Sequence, residues 1–118
     1  MNGQFKTYFL DEAIARRRQT LEQERQTTLE QVKQWLTANG HKYGIEQAYL
    51  FGSLIRPHRF RQQSDVDLAV ESIKPEDLFM AMTALAEAVG RDVDLVELVK
   101  CPFAHRIRQE GVLWIKML

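Results

Sequence analysis

The sequence predicts a small α/β (α+β) domain, a β-sheet flanked by helices and entered through one long N-terminal helix. Three observations predict it. Short β-branched and aromatic runs alternate with stretches whose apolar residues recur at helical spacing, the pattern of packed sheet and helix layers. From Leu10 to Asn39 there is no Gly or Pro, and Ala, Arg, Gln, Glu and Leu dominate. The 118 residues suffice for one hydrophobic core, with at most an appendage.

The elements follow in order. Leu10 to Asn39 is built from strong helix formers. Asp11 and Glu12 suit the positive end of a helix dipole, and Asn39-Gly40 reads as its C-cap. Its apolar positions are Ile14, Leu21, Leu29, Val32, Trp35 and Leu36, dense toward the C-terminal end. The last turns are therefore expected to dock on the core while the first half projects, with Arg16-Arg17-Arg18 as a solvated face. This divides the chain into a helical extension over 1–44 and a core over 45–118.

Ile45 to Phe51 reads as a strand, broken by Gly52-Ser53. A polar, basic stretch from Arg56 to Gln63 leads to Asp65–Val70, a second strand with clean alternation. Pro75 is placed to open a helix carrying Leu78, Met82, Leu85 and Val89, capped at Gly90. Asp92 to Val99 is a third strand. Pro102 to Glu110 is a short helix ended by Gly111, and Val112 to Met117 is extended. Trp35 and Trp114 are expected as core or interface anchors, and Met80, Met82 and Met117 as core fillers. His105 reads as a surface residue near a helix C-terminus.

Composition excludes several classes of function. Sixteen basic and sixteen acidic residues give no net charge, which rules out a generic basic nucleic-acid coat and leaves no direct nucleic-acid binding expected. Cys101 is the only cysteine, so neither an internal disulfide nor a cysteine-rich zinc site can form, in keeping with a reducing cytoplasm. No apolar run approaches the ~20 residues of a membrane helix. So small a domain has little room to enclose a large substrate, and a partner is expected.

The chemistry lies between Gly52 and Asp94. Alternation along a strand points Asp65 and Asp67 to one side and Val66, Leu68 and Val70 to the other. Two carboxylates side by side raise each other's pKa unless a cation lies between them, and hard oxygen donors suit Mg²⁺. Gly52 allows a sharp turn and close approach, while Ser53 reads as the N-cap of a helix whose free amides attract phosphate. Arg56, Arg59, Arg61 and His58 add positive charge in between. Asp94, inside the apolar run Val93–Val96, is costly unless compensated. If its strand pairs with Asp65–Val70, Asp94 joins the carboxylates or accepts a proton from an attacking hydroxyl. Asp92 shares its parity and is the competing candidate, though its place beside Gly90-Arg91 suits a solvated turn.

Leu50-Phe51-Gly52-Ser53, Arg56, Ser64-Asp65-Val66-Asp67-Leu68 and Val93-Asp94-Leu95-Val96 together resemble the DNA polymerase β-like nucleotidyltransferase superfamily. The small size and the segment Ile107–Leu113 resemble its minimal nucleotidyltransferase branch. The resemblance covers roughly residues 45–118 and implies a small mixed-sheet nucleotidyltransferase fold. It implies that Gly52, Ser53 and Arg56 hold the triphosphate of ATP and that Asp65, Asp67 and Asp94 bind Mg²⁺, two ions in all. Asp94 is the residue it credits with activating the acceptor hydroxyl. Pro57 replaces the glycine that usually follows the arginine, and the loop before Ser64 is longer than the family's by about a residue, so the path of that loop departs from the family's.

The same resemblance implies a partner. Members of the branch are typically encoded with a HEPN-domain ribonuclease toxin, and several act as its antitoxin by transferring AMP from ATP to a tyrosine of the toxin. Two other functions compete: transfer to a small-molecule (aminoglycoside-like) or RNA acceptor, and neutralisation of a partner by binding alone. Against the first, the chain lacks an additional domain to build such a pocket; against the second, all three carboxylates are intact.

Overall fold

The computed structural model describes residues 2–117, and side chains for residues 8–117. Helix α1 (Asn2–Asn39) leads into a 3₁₀ turn, then β1 (Gln47–Phe51), a second 3₁₀ turn (Gly52–Ile55) and β2 (Val66–Val70). Helix α2 (Leu78–Val89), β3 (Val93–Glu97), α3 (Ala104–Glu110) and β4 (Val112–Ile115) complete the chain. The four strands form one mixed sheet, as the sequence leads one to expect, and their order is β3-β2-β1-β4. β1 runs antiparallel to β2 and β4, whereas β2 and β3 are parallel. A parallel pair needs a long crossover, and α2 supplies it.

Alternation gives the sheet two unlike faces. Ala48, Leu50, Val66, Leu68 and Val70 lie under Val32, Trp35 and Leu36 of α1 and Ala81 and Leu85 of α2. The opposite face carries a smaller cluster, Tyr49, Ala69, Leu98 and Ile107. It covers only part of that face and leaves one end of β2 and β3 to polar residues.

Helix α1 starts earlier than its Gly- and Pro-free stretch, at Asn2. Its buried stripe is Arg25, Thr28, Val32, Trp35 and Leu36, at helical spacing, and residues 8–20 are all exposed, Ile14 included at 48%. Thirty-eight residues rise about 57 Å, which sets the longest of the 63 × 27 × 25 Å dimensions. The helix docks by its C-terminal half and projects by its first. Among the described residues, no helix is long and apolar enough to cross a membrane.

Several local expectations are corrected. The left-handed residue ending this corner is Gly44 (φ 80°), not Gly40. Gly40 is small for another reason: a Cβ there would lie 3.2 Å from the Trp114 ring and 3.1 Å from the Ile45 carbonyl. Trp114 also donates from Nε1 to Thr37 Oγ1 at 3.2 Å, and Trp35 stacks on Tyr43, so both tryptophans anchor α1. Met80 (63%) and Met117 (85%) are exposed, and only Met82 packs on the core. The expectation that all three fill the core holds only for Met82: Met80 lies on the exposed side of α2, and Met117 lies beyond β4. His105 lies in the first turn of α3, not near its end, because the helix begins at Ala104.

Candidate active site

Three segments meet at the polar end of the second sheet face: the C-terminal end of β1 and the N-terminal ends of β2 and β3. Register pairs Phe51 with Asp67 and Asp67 with Asp94, so these three residues form one row across the sheet. The condition set for Asp94, that its strand lie beside β2, is met. Asp65 stands just before β2, exposed, on the same side. Asp92 contributes its carbonyl, which accepts from the Val66 amide at 2.9 Å, and it is not in the row.

Gly52 adjoins this row with φ 75°. A Cβ there would collide with an oxygen of the Asp67 carboxylate. The position thus excludes other residues twice, by conformation and by contact. Ser53 does not cap a helix: the turn is a single 3₁₀ turn, Phe51 in extended conformation holds the N-cap position, and no side chain bonds to it. Ser53 instead sits half-buried within the turn. Its carbonyl accepts from the Arg56 amide at 3.2 Å.

The electrostatics of the row are unbalanced. Burial, then the negative charges of Asp94 and Asp65, push the Asp67 carboxyl up to about 6. Among the described residues none of the ion pairs involves Asp65, Asp67 or Asp94. Uncompensated oxygen donors of this kind fit a hard divalent cation. They do not form a closed cage: no three His, Cys, Asp or Glu side chains among the described residues are grouped closely enough to enclose an ion. The donor chemistry suits Mg²⁺, with other ligands coming from substrate or water.

A cavity of about 870 Å³ opens beside the row. Gly52, Ser53, Arg56 and Asp94 line it, as do Arg59, Lys100, Phe103, Arg106 and Glu110. Asp67 lies beneath Gly52 outside its lining, and Asp65 faces a separate cavity shared with Asp92. The structure thus brings Gly52, Ser53, Asp67 and Asp94 together, with Asp65 at the rim. Arg56, at the cavity, stands 3.8 Å from Glu110, which also pairs with Arg106 at 3.1 Å. Sequence reasoning missed the share of α3 in this cavity. No motif marks Arg106 or Phe103; they arrive because the chain folds α3 back over β1.

The family model for polymerase beta nucleotidyltransferases matches residues 30–116. This chain belongs to that family. No curated protein sequence matches the chain. Among solved structures, a chain from the toxin–antitoxin MntA-HepT superposes on this nucleotidyltransferase with TM-score 0.54 at 24% identity, over 78% of this chain and 73% of that one. A toxin–antitoxin with AMP-PNP gives TM-score 0.57 at 23% identity, over 74% and 73%. A mutant of the toxin–antitoxin MntA-HpeT gives 0.52 at 27%, over 71% and 68%. These neighbours agree with the minimal nucleotidyltransferase branch that the sequence resembles.

Proposed function

We propose that this nucleotidyltransferase is a Mg²⁺-dependent antitoxin that transfers AMP from ATP to a tyrosine hydroxyl of a HEPN-type ribonuclease toxin. The observation that carries the reading is the row of Asp67 and Asp94 in register against Gly52, with Asp65 alongside and none of the three in an ion pair among the described residues. The toxin–antitoxin neighbours, one of them with AMP-PNP, support the acceptor and the nucleotide.

In this reading the Gly52–Ile55 turn receives the phosphates at its backbone, and Ser53 supplies a hydroxyl. Asp65, Asp67 and Asp94 would hold Mg²⁺, which when bound neutralises the triphosphate and the charge that builds up during transfer. Arg56, at the cavity rim, releases Glu110 to meet phosphate oxygens. Asp94 is exposed at the cavity and holds the proton given up by the acceptor hydroxyl. The hydroxyl oxygen bonds to the α-phosphorus, the bond to the β-phosphate oxygen breaks, and pyrophosphate departs. The acceptor side of the cavity stays open, which suits a macromolecule that brings its own half of the site.

Intact-mass spectrometry of a co-purified partner after incubation with ATP and Mg²⁺ tests the proposal. Increments of whole AMP units, absent with Asp65→Asn/Asp67→Asn, are expected. A tightly bound partner that gains no mass yet is neutralised would replace transfer with occlusion. Transfer to a small molecule or an RNA end instead would keep the enzyme and change the acceptor.

A further inference from the structure

The two signature segments, Gly52-Ser53 and Asp65-Val66-Asp67, are joined by a run whose family pattern is broken at Pro57, and α1 holds this run from outside the matched residues. Arg25 is buried on α1. It donates to the Glu22 carboxylate from Nε at 2.8 and 3.1 Å and from Nη2 at 2.6 Å. Its remaining arm, Nη1, donates 3.1 Å to the carbonyl of Leu54, inside the turn and next to Ser53. Glu22 accepts from the backbone amide of His58 at 3.2 Å.

His58 is the one non-glycine residue with positive φ (66°) among the described residues. Such a conformation costs roughly 1–2 kcal/mol in an L-residue and needs its surroundings to hold it. Pro57, with fixed φ, cannot supply the left-handed step that a glycine would give at its position; the step falls one residue later, and Glu22 pins it. The far end of the run is held as well. Arg91 donates at 3.0 Å to the carbonyls of Gln62 and Ser64, lies 4.3 Å over the Phe60 ring and pairs with Glu24 of α1 at 3.4 Å.

We propose that Glu22 and Arg25 are positioning residues for the nucleotide-binding turn, so that α1 is a working wall of the site and not only a projecting handle. The proposal rests on the nucleotide-transfer reading and deepens it. A buried ion pair is by itself weak evidence for stability, since apolar residues of similar volume often do as well. What apolar residues cannot do is satisfy a carbonyl at Leu54 and an amide at His58 together. The pair holds the chain at two points four residues apart, Leu54 inside the turn and His58 just beyond it, next to the place where phosphate must meet backbone amides. Misplacement there by about 1 Å can cost on the order of 10²-fold in rate. Glu22 and Arg25 precede the family-matched segment, 30–116, so this support belongs to α1 of this chain.

Two variants test it. Arg25→Lys keeps the charge but cannot reach both Glu22 and Leu54 in a planar fork. The exchange Glu22→Arg/Arg25→Glu restores an ion pair while reversing the polarity offered to the Leu54 carbonyl and the His58 amide. Affinity for AMP-PNP with Mg²⁺ is measured by calorimetry, and amide hydrogen exchange is followed residue by residue. In Arg25→Lys, affinity is expected to fall about tenfold and the His58 amide to exchange about tenfold faster, with β1 and β2 unchanged and the fold retained. The double exchange is expected to repair neither. Wild-type affinity in Arg25→Lys, or recovery of both readouts by the double exchange, would overturn the proposal, as would faster exchange with unaltered affinity. A wild-type chain that binds no AMP-PNP would instead sink the transfer reading, and exchange at His58 would still decide whether the pair holds the turn.

Discussion

Two clusters of carboxylate chemistry flank the run from Leu54 to Ser64, and they are opposites. At Glu22–Arg25 the acid is gripped: its hydrogen bonds from Arg25 hold the Glu22 carboxyl down at about 2, and the Arg25 guanidinium is raised in turn. At Asp67 the acid is left unpaired among the described residues: burial, Asp94 and Asp65 drive it up to about 6. A protein that needed both for stability would have treated them alike. The first cluster is compensated within the fold, whereas the second weighs against the fold until something positive arrives. Acidic residues that a fold tolerates at a cost, beside a glycine that both its φ of 75° and the Asp67 carboxylate require, mark where function has overridden packing.

The comparison can be broken at its unbalanced end first. Replacing Asp65 and Asp67 by Asn is expected to lower nucleotide transfer by about 10³-fold or more, since the lost charge stabilisation amounts to several kcal/mol. The double variant should unfold at a temperature no lower than wild type in metal-free buffer. A calorimetric scan beside the mass assay checks both, and a variant that unfolds early would mean that the acids serve the fold.

Gly52→Ala comes next. The Cβ meets the Asp67 carboxylate and adopts φ 75°, so a loss of roughly 2–4 kcal/mol is expected from strain and collision together. Gly90→Ala is the control: φ is 68° there too, but nothing lies within 4 Å, and about 1 kcal/mol should cover it. Denaturant midpoints of the two variants separate conformation from contact; equal losses would remove the argument that Asp67 dictates the glycine.

The opposite signs of the two shifts give opposite pH slopes. Asp67 has a folded pKa above its ordinary 3.8, so the native state holds more protons than the unfolded chain, and stability falls as pH rises from about 4 through 6. Glu22 has a folded pKa below its ordinary 4.5, so its contribution is full above about 4.5 and is lost as pH falls toward 2. Urea unfolding against pH in EDTA should therefore show a maximum near pH 4. Asp67→Asn should flatten the upper slope, Glu22→Gln the lower, and millimolar Mg²⁺ should lift only the upper one.

The smallest effect sharpens the contrast within α1 itself. Arg16 and Glu12 are also an arginine–glutamate pair one turn apart, but at 3.8 Å and exposed on the projecting half. Arg16→Ala is expected to change stability by less than about 0.5 kcal/mol, measured by the same unfolding curves. A larger loss would place the projecting half in contact with something more than water.

Much of the site is legible in the sequence. Alternation put Asp65 and Asp67 on one side of a strand, and an aspartate in an otherwise apolar strand singled out Asp94; the paired register of β2 and β3 brought Asp67 and Asp94 together. Ser53 was misread because N-capping and a single 3₁₀ turn share the same residue preferences, and only backbone geometry separates them. Met80 and Met117 were misplaced because apolar character does not say which side of a helix, or which end of a strand, finds a partner. The contribution of α3 to the cavity left no local mark.

Periodicities of two and of 3.6 residues, and the glycine that must precede an aspartate pair, are short-range properties. The order of side chains along the chain sets them, so the sequence by itself determined the elements, the carboxylates and the turn between them. The pairing of Arg25 with a carbonyl 29 residues away, the left-handed step moved to His58 and the cavity closed by α3 belong to the tertiary structure. They depend on how α1 and α3 dock against a sheet whose strands are already paired, and a buried guanidinium can choose its acceptor only after packing has removed water from the alternatives.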